Sequence, residues 1–165
     1  LTGHLVLTTL HTNNAIGIIP RLIDMGVDPF LIPSTLVLAV AQRLTRRLCP
    51  DSRTAGNISG RAGEIIAAEL ASLPAASRED IDIPPADQIY VVAVSAACPK
   101  GSRGRIGLFE VFAMTPELER IILEGPSESK IQAEARRQGM VTMKQDGVLK
   151  VLGGVIGMQE LLEVL

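Results

Sequence analysis

The stretch LTGHLVLTTLHTNNA at residues 1–15 constrains the rest of the chain more than any other. Leu5, Val6 and Leu7 run, with no glycine or proline between, into a cluster of Thr8, Thr9, His11, Thr12 and Asn13, after which a helical pattern begins. Such an apolar run ending in polar residues predicts a buried strand followed by a helix. In open α/β sheets, ligands bind just beyond the carboxyl ends of the strands, so the polar cluster falls where such a fold keeps its chemistry. His11, at the strand end, is better placed for a role than His4 at its start. The chain begins abruptly ahead of this strand, without an initiating methionine, and reads as a piece of a longer protein.

Composition bounds the rest. With 165 residues and 47% hydrophobic content, the chain can bury a real core as one domain or two small ones, which excludes wholesale disorder. A net charge of −2, 2% aromatic residues and a single Tyr supply neither the basic groove nor the stacking rings that single-stranded nucleic acid requires. Phe30–Ala41 is the most apolar run, but Pro33, Ser34 and Thr35 interrupt it and it is shorter than the roughly 20 residues needed to cross a bilayer. Cys49 and Cys98 form no Cys-x-x-Cys pair, and nothing suggests a secreted disulfide scaffold; the thiols are expected to be reduced.

After the first strand, Thr12 or Asn13 can cap a helix whose buried face is Ala15, Ile18, Ile19 and Leu22, with Gly26 ending it. Pro20 inside that span predicts a bend near Ile16. Asp28 and Pro29 then predict a new start, and the apolar residues from Leu36 to Ala41 predict a long helix to about Leu48, packed on most of its sides and therefore part of a larger body. Arg43, Arg46 and Arg47 at its far end would compensate the helix dipole, or face phosphate or another subunit.

From Asp51 to Gly104 the character changes. Arg61–Ser72 predicts a helix anchored by Ile65, Ile66 and Leu70, Pro84-Pro85 excludes regular structure locally, and Gln88–Val94 predicts a short strand buried on both faces. Gly101, Gly104 and Gly107 around Arg103 and Arg105 suit either a phosphate-holding turn or a tight re-entry into the core, ahead of a strand at Leu108–Phe112. Four helices are expected beyond it: one capped by Thr115 and Pro116 and ended by Gly125, one from Ser127 to Gly139, one marked by Val148, Val151 and Leu152, and one by Met158, Leu161, Leu162 and Leu165. Met140 and Met143 read as packing residues. Glu110 and Asp146 show no partner in the sequence and receive no role.

TGHLVLTTLHTNNA, IPRLIDMGVDPFLIPSTL, AQRLTRRLCP and GRIGLFEVF together resemble the histidine box and following segments of the motor ATPases of type II secretion and type IV pilus assembly. The resemblance runs to the C-terminus outside the middle segment. It implies an α/β fold: the C-terminal part of a RecA-like P-loop ATPase core at residues 1–48, a small inserted lobe at 49–104, and a re-entry strand with a C-terminal helical cap at 105–165. It further implies a hexameric ATPase, cytoplasmic and held at the inner membrane through platform components, with ATP and Mg as ligands of the parent protein. No nucleic acid and no membrane insertion are expected. By the same resemblance His11 senses or positions around the γ-phosphate, His4 is the first histidine of the box, Thr9 and Thr12 lie near the nucleotide, and Arg21 is a subunit contact or a solvated side chain.

Two departures follow. No G-x-x-x-x-G-K-[ST] occurs, nor an apolar strand ending in an Asp-Glu pair, so this stretch alone is not expected to hydrolyse ATP; the family carries those elements upstream of the box. Many relatives carry a four-cysteine zinc module in the middle segment. Here its two pairs are Cys49-Pro50-Asp51-Ser52 and Ser95-Ala96-Ala97-Cys98, and two cysteines do not make a structural zinc site. Zinc is not expected; a Cys49–Cys98 contact or packing alone would hold the lobe. The leading reading is a motor ATPase that powers pilin or pseudopilin assembly. Its rival is an interaction or regulatory module that keeps the scaffold without binding nucleotide.

Overall fold

The computed structural model describes residues 3–165, and its residues divide into two compact units, Leu1–Ala41 with Glu110–Met140, and Gln42–Phe109 with Val141–Leu165. In the first unit, residues 4–12 form no regular element. The strand expected at Leu5–Leu7 is absent, and its side chains stand open to solvent, Leu5 at 86% and Leu7 at 91% exposure. A strand is held by neighbours that take its amides and cover its side chains, and no described strand lies beside this one.

Helix α1 spans Ile18–Asp24, shorter than expected. Pro20 sits in its first turn, not in an interior where it would be expected to bend the helix, and its missing amide proton has no intrahelical acceptor to lose there. The expected N-cap at Thr12 or Asn13 moves to Gly17, whose amide is taken by the Asn14 side chain at 2.8 Å. Gly26 closes the turn after the helix at φ 87°. Asp28 does cap a helical start, accepting from the Phe30 amide, but only a 3-10 turn (Pro29–Leu31) and the short α2 (Ile32–Thr35) follow.

The long helix to Leu48 is replaced by an eleven-residue strand, β1 (Leu38–Leu48). Two causes are visible. The hydroxyls of Ser34 and Thr35 fold back on the Leu31 carbonyl at 3.1 and 2.7 Å, competing with continued helix. Strand β4 (Ser102–Ala113) then supplies a pairing edge, and tertiary pairing overrides the helical pattern. Arg43, Arg46 and Arg47 are exposed residues of this strand and have no helix dipole to compensate.

Helices α5 (Pro116–Glu124) and α6 (Glu128–Arg137) complete the first unit where the capping signals placed them, with Thr115 and Ser127 as N-caps. Its core gathers Ala15, Ile16, Ile19 and Ile32 with Phe112, Leu118, Ile122, Ile131 and Met140.

The second unit holds β2 (Thr54–Gly56), α3 (Gly60–Ala71), α4 (Ala75–Arg78), β3 (Ile89–Val91), α7 (Met143–Leu152) and α8 (Met158–Leu162). Strand β3 pairs antiparallel with β2, Ala55 opposite Tyr90. It is shorter than expected and not buried on both faces: Ile89 is covered, while Val91, Val92 and Val94 are exposed, because a two-stranded sheet covers one side. Helix α7 packs on α3 and α8. A Cβ on Gly147 would stand 2.2 Å from Leu161 Cδ1, so glycine there sets the approach of α7 to α8. Met140 and Met143 are buried packing residues, as expected. The glycine-rich basic stretch resolves as the re-entry: Gly101, at φ 64°, makes the turn, and Arg103 and Arg105 are exposed positions on β4. No described helix is long and apolar enough to cross a membrane.

Candidate functional site around the histidine-bearing segment

His4, Thr9 and His11 lie on the exposed stretch before α1, and Arg21 is exposed on α1 itself. Of the five residues singled out by sequence, Thr12 is the one tied into the turn that follows: its hydroxyl donates to the Asn14 carbonyl at 2.9 Å. Asn14 in turn takes the Gly17 amide, and the Ala15 amide donates to Glu110 Oε1 at 2.6 Å. Ala15 and Ile16 are buried directly beyond this knot. His11 therefore projects from a segment whose root is fixed by three side chains while its own ring faces solvent.

Glu110 is the residue that sequence reasoning passed over. It is 5% exposed and occupies the inward register of β4 between buried Leu108 and Phe112. A carboxyl group at a core position is costly unless it is hydrogen-bonded, and here it receives an amide from a segment distant in sequence. The signal was present: in GLFEVF the glutamate shares its face with Leu108 and Phe112, which strand alternation places inward. Asp146 also has partners. Its carboxylate accepts from the Phe109 amide at 2.9 Å and pairs with Lys150, whose ammonium lies over the Phe109 ring.

A groove between α5 and α6 is lined by Glu117, Arg120, Glu124, Lys130, Glu134 and Arg137. Arg120 pairs with Glu117 and Glu124, and Arg137 with Glu134, so most of its charge is satisfied from within. Glu134 is buried and held at about 2, first by the Arg137 guanidinium, with the Thr115 hydroxyl and the Gln138 amide adding to it and burial opposing them. This is a structural joint between two helices, not a convergent ligand site.

The cysteine pair does come together. The turn from Cys49 to Ser52 and the turn from Ser95 to Cys98 meet through Gly101, with both thiols buried and free and each influencing the other. The donor set does not fit structural zinc, which takes four thiolate or imidazole ligands. Two of the four positions are serines already engaged: Ser52 Oγ donates to the Ala93 carbonyl at 2.7 Å, and Ser95 Oγ accepts from the Cys98 amide at 3.1 Å. Among the described residues no group of three or more His, Cys, Asp or Glu side chains gathers as a metal site.

An imidazole and hydroxyls on an exposed segment can hydrogen-bond an anionic group brought to them. They supply neither a phosphate cradle nor a carboxylate that orients water. Comparison with known proteins identifies what they accompany. The family model described as Type II/IV secretion system protein matches residues 1–163. Among similar curated proteins, the type IV pilus assembly ATPase PilB of Myxococcus xanthus is 36% identical over 97% of this chain and 27% of its own length. Type II secretion system protein E of Xanthomonas campestris is 40% identical over 99% of this chain and 27% of its own length, and the protein of that name in Pseudomonas aeruginosa is 40% identical over 99% and 30%. The chain spans less than a third of the length of these relatives.

Proposed function

The chain belongs to the Type II/IV secretion system protein family, and from that membership we propose that it is the C-terminal part of a motor ATPase that powers pilin or pseudopilin assembly. The observation that carries this reading is the family match over residues 1–163 together with relatives named as pilus assembly ATPases. In this reading residues 1–48 complete a RecA-like core, residues 49–104 form an inserted lobe, and residues 105–165 return to the core and close it with helices. The parent works as a hexamer in the cytoplasm, docked on an inner-membrane platform, and takes ATP with Mg. The phosphate loop and the catalytic acid come from the rest of the parent, since this chain contains no G-x-x-x-x-G-K-[ST]. Zinc plays no part, because the lobe offers two thiols and two engaged hydroxyls.

Within the site, His11 responds to the γ-phosphate, with His4, Thr9 and Thr12 beside the nucleotide and Arg21 toward a neighbouring subunit. The fixed root of the segment supports this assignment. A sensor must transmit a push or a pull, and the hydrogen bond from Ala15 to Glu110 couples the backbone just beyond His11 to β4. The test is phosphate release by the whole-length protein carrying His11→Ala. The rate is expected to fall by about 100- to 1,000-fold, as for loss of one preorganised donor, with circular dichroism unchanged. A folded variant that retains the parent's rate would overturn the role of His11.

A further inference from the structure

The two cysteines are held face to face by backbone geometry that uses both turns. Cys49 follows β1 directly and starts a turn in which its carbonyl accepts from the Ser52 and Arg53 amides at 3.2 and 3.0 Å. Ser95 and Cys98 exchange amide-to-carbonyl bonds at 3.2 and 3.1 Å, closing the second turn. Gly101 joins the two turns: its carbonyl takes the Cys49 amide at 3.1 Å and its amide donates to the Cys98 carbonyl at 3.0 Å. A Cβ on Gly101 would meet Val92 Cγ1 at 2.4 Å and the Ala93 carbonyl at 2.8 Å, so this close approach requires glycine. Both thiols are buried at this junction, Cys49 at 2% and Cys98 at 5% exposure, close enough for each to influence the other, with the Ser52 hydroxyl nearby.

We propose that Cys49 and Cys98 are a redox pair that forms a reversible intrachain disulfide, tying the end of β1 to the turn that leads into β4. The oxidant class is a low-molecular-weight disulfide. The thiolate of one cysteine attacks a sulfur of that disulfide, forming a mixed disulfide and releasing one thiolate, which takes up a proton. The thiolate of the other then attacks the chain's sulfur in the mixed disulfide, forming the Cys49–Cys98 bond and releasing the second small thiol. Overall the two protein thiols lose two electrons and two protons, and the small disulfide gains both. Cys49 is the first nucleophile, because the neighbouring Cys98 thiol holds it below the ordinary thiol value, while the Cys49 thiol and then burial push Cys98 up. The product encloses β2, α3, α4 and β3 in one covalent loop, which restricts the unfolded chain more than the folded one. In a reducing compartment the pair rests as a dithiol and answers oxidising conditions only.

The chain is equilibrated with graded mixtures of reduced and oxidised glutathione, quenched with a maleimide, and read by intact mass and non-reducing electrophoresis. The expected result is that both thiols leave the alkylated pool together, giving a monomer lighter than the dithiol by two hydrogens and restored by dithiothreitol. Its thermal midpoint should stand above that of the reduced chain. Cys49→Ser and Cys98→Ser should each stop at a chain carrying one glutathione. The proposal fails if the native chain keeps both thiols alkylable at the oxidising end, accumulates a single-glutathione form, bridges into dimers, or melts at a lower temperature once oxidised. The native chain alone decides these outcomes, so a serine variant that does not fold leaves the test intact.

Discussion

Glu110 faces inward on β4 with Leu108 before it and Phe112 after it, and spends its carboxyl group on the Ala15 amide. Replacing it with alanine strands that buried amide, a loss of about 1–3 kcal/mol. Glu110→Gln keeps an acceptor oxygen and should recover most of the difference. Urea unfolding midpoints of the two variants decide this, and equal losses would show that packing volume, not the acceptor, is what matters. Hydrogen exchange at Ala15 should rise in the alanine variant alone. A Cys49–Cys98 contact is a possible tie for the lobe from sequence, and the structure brings their two turns together through Gly101 with both thiols buried and free. Glu110 was left without a role because its donor lies far away along the chain, although the strand pattern already put a carboxyl group on an apolar face. Thr9 and Arg21 are exposed and their assignment rests on family resemblance, whereas His11 adds to the resemblance a segment whose root is fixed by the Ala15–Glu110 bond.

Helices with side-chain caps were legible; segments that depend on a distant partner were not. Thr115 and Ser127 each cap a helix through their own hydroxyl, a local signal complete within four residues. Leu38–Leu48 becomes strand β1 only because β4 lies beside it, and nothing within those eleven residues announces that. The joint between α5 and α6 gives a pH prediction. Glu134 accepts from Thr115, Arg137 and Gln138, and its folded value is depressed to about 2. A depressed carboxylate contributes stability that is fully present above its unfolded value, about 4.3, and is lost as pH falls toward the folded one. Glu134→Gln should therefore be less stable than the native chain by about 1–3 kcal/mol near neutrality. The gap should close as pH falls through that window. Denaturant titrations across the acid range would show it, and a gap independent of pH would mean that the ionised carboxylate contributes nothing.

For the whole molecule, composition correctly foresaw a chain able to build a core, and the structure distributes that core over two units, each built from segments distant in sequence. That interleaving escapes a reading that proceeds along the chain, because periodicity reports neighbours in sequence and not returns from far away. One described feature also governs how the chain behaves in a tube. Leu5-Val6-Leu7 is uncharged, rich in strand-forming residues and open to water, with its amides in no described ladder. Copies of the isolated chain should associate through it as concentration rises, so that light scattering grows with loading and yield in the soluble fraction is poor. Leu7→Lys should lower scattering without shifting the melting curve, since it alters a side chain that the folded units do not cover. Unchanged scattering would place the stickiness elsewhere. The colloidal lifetime of the sample is then set by three residues that contribute little to its folded stability.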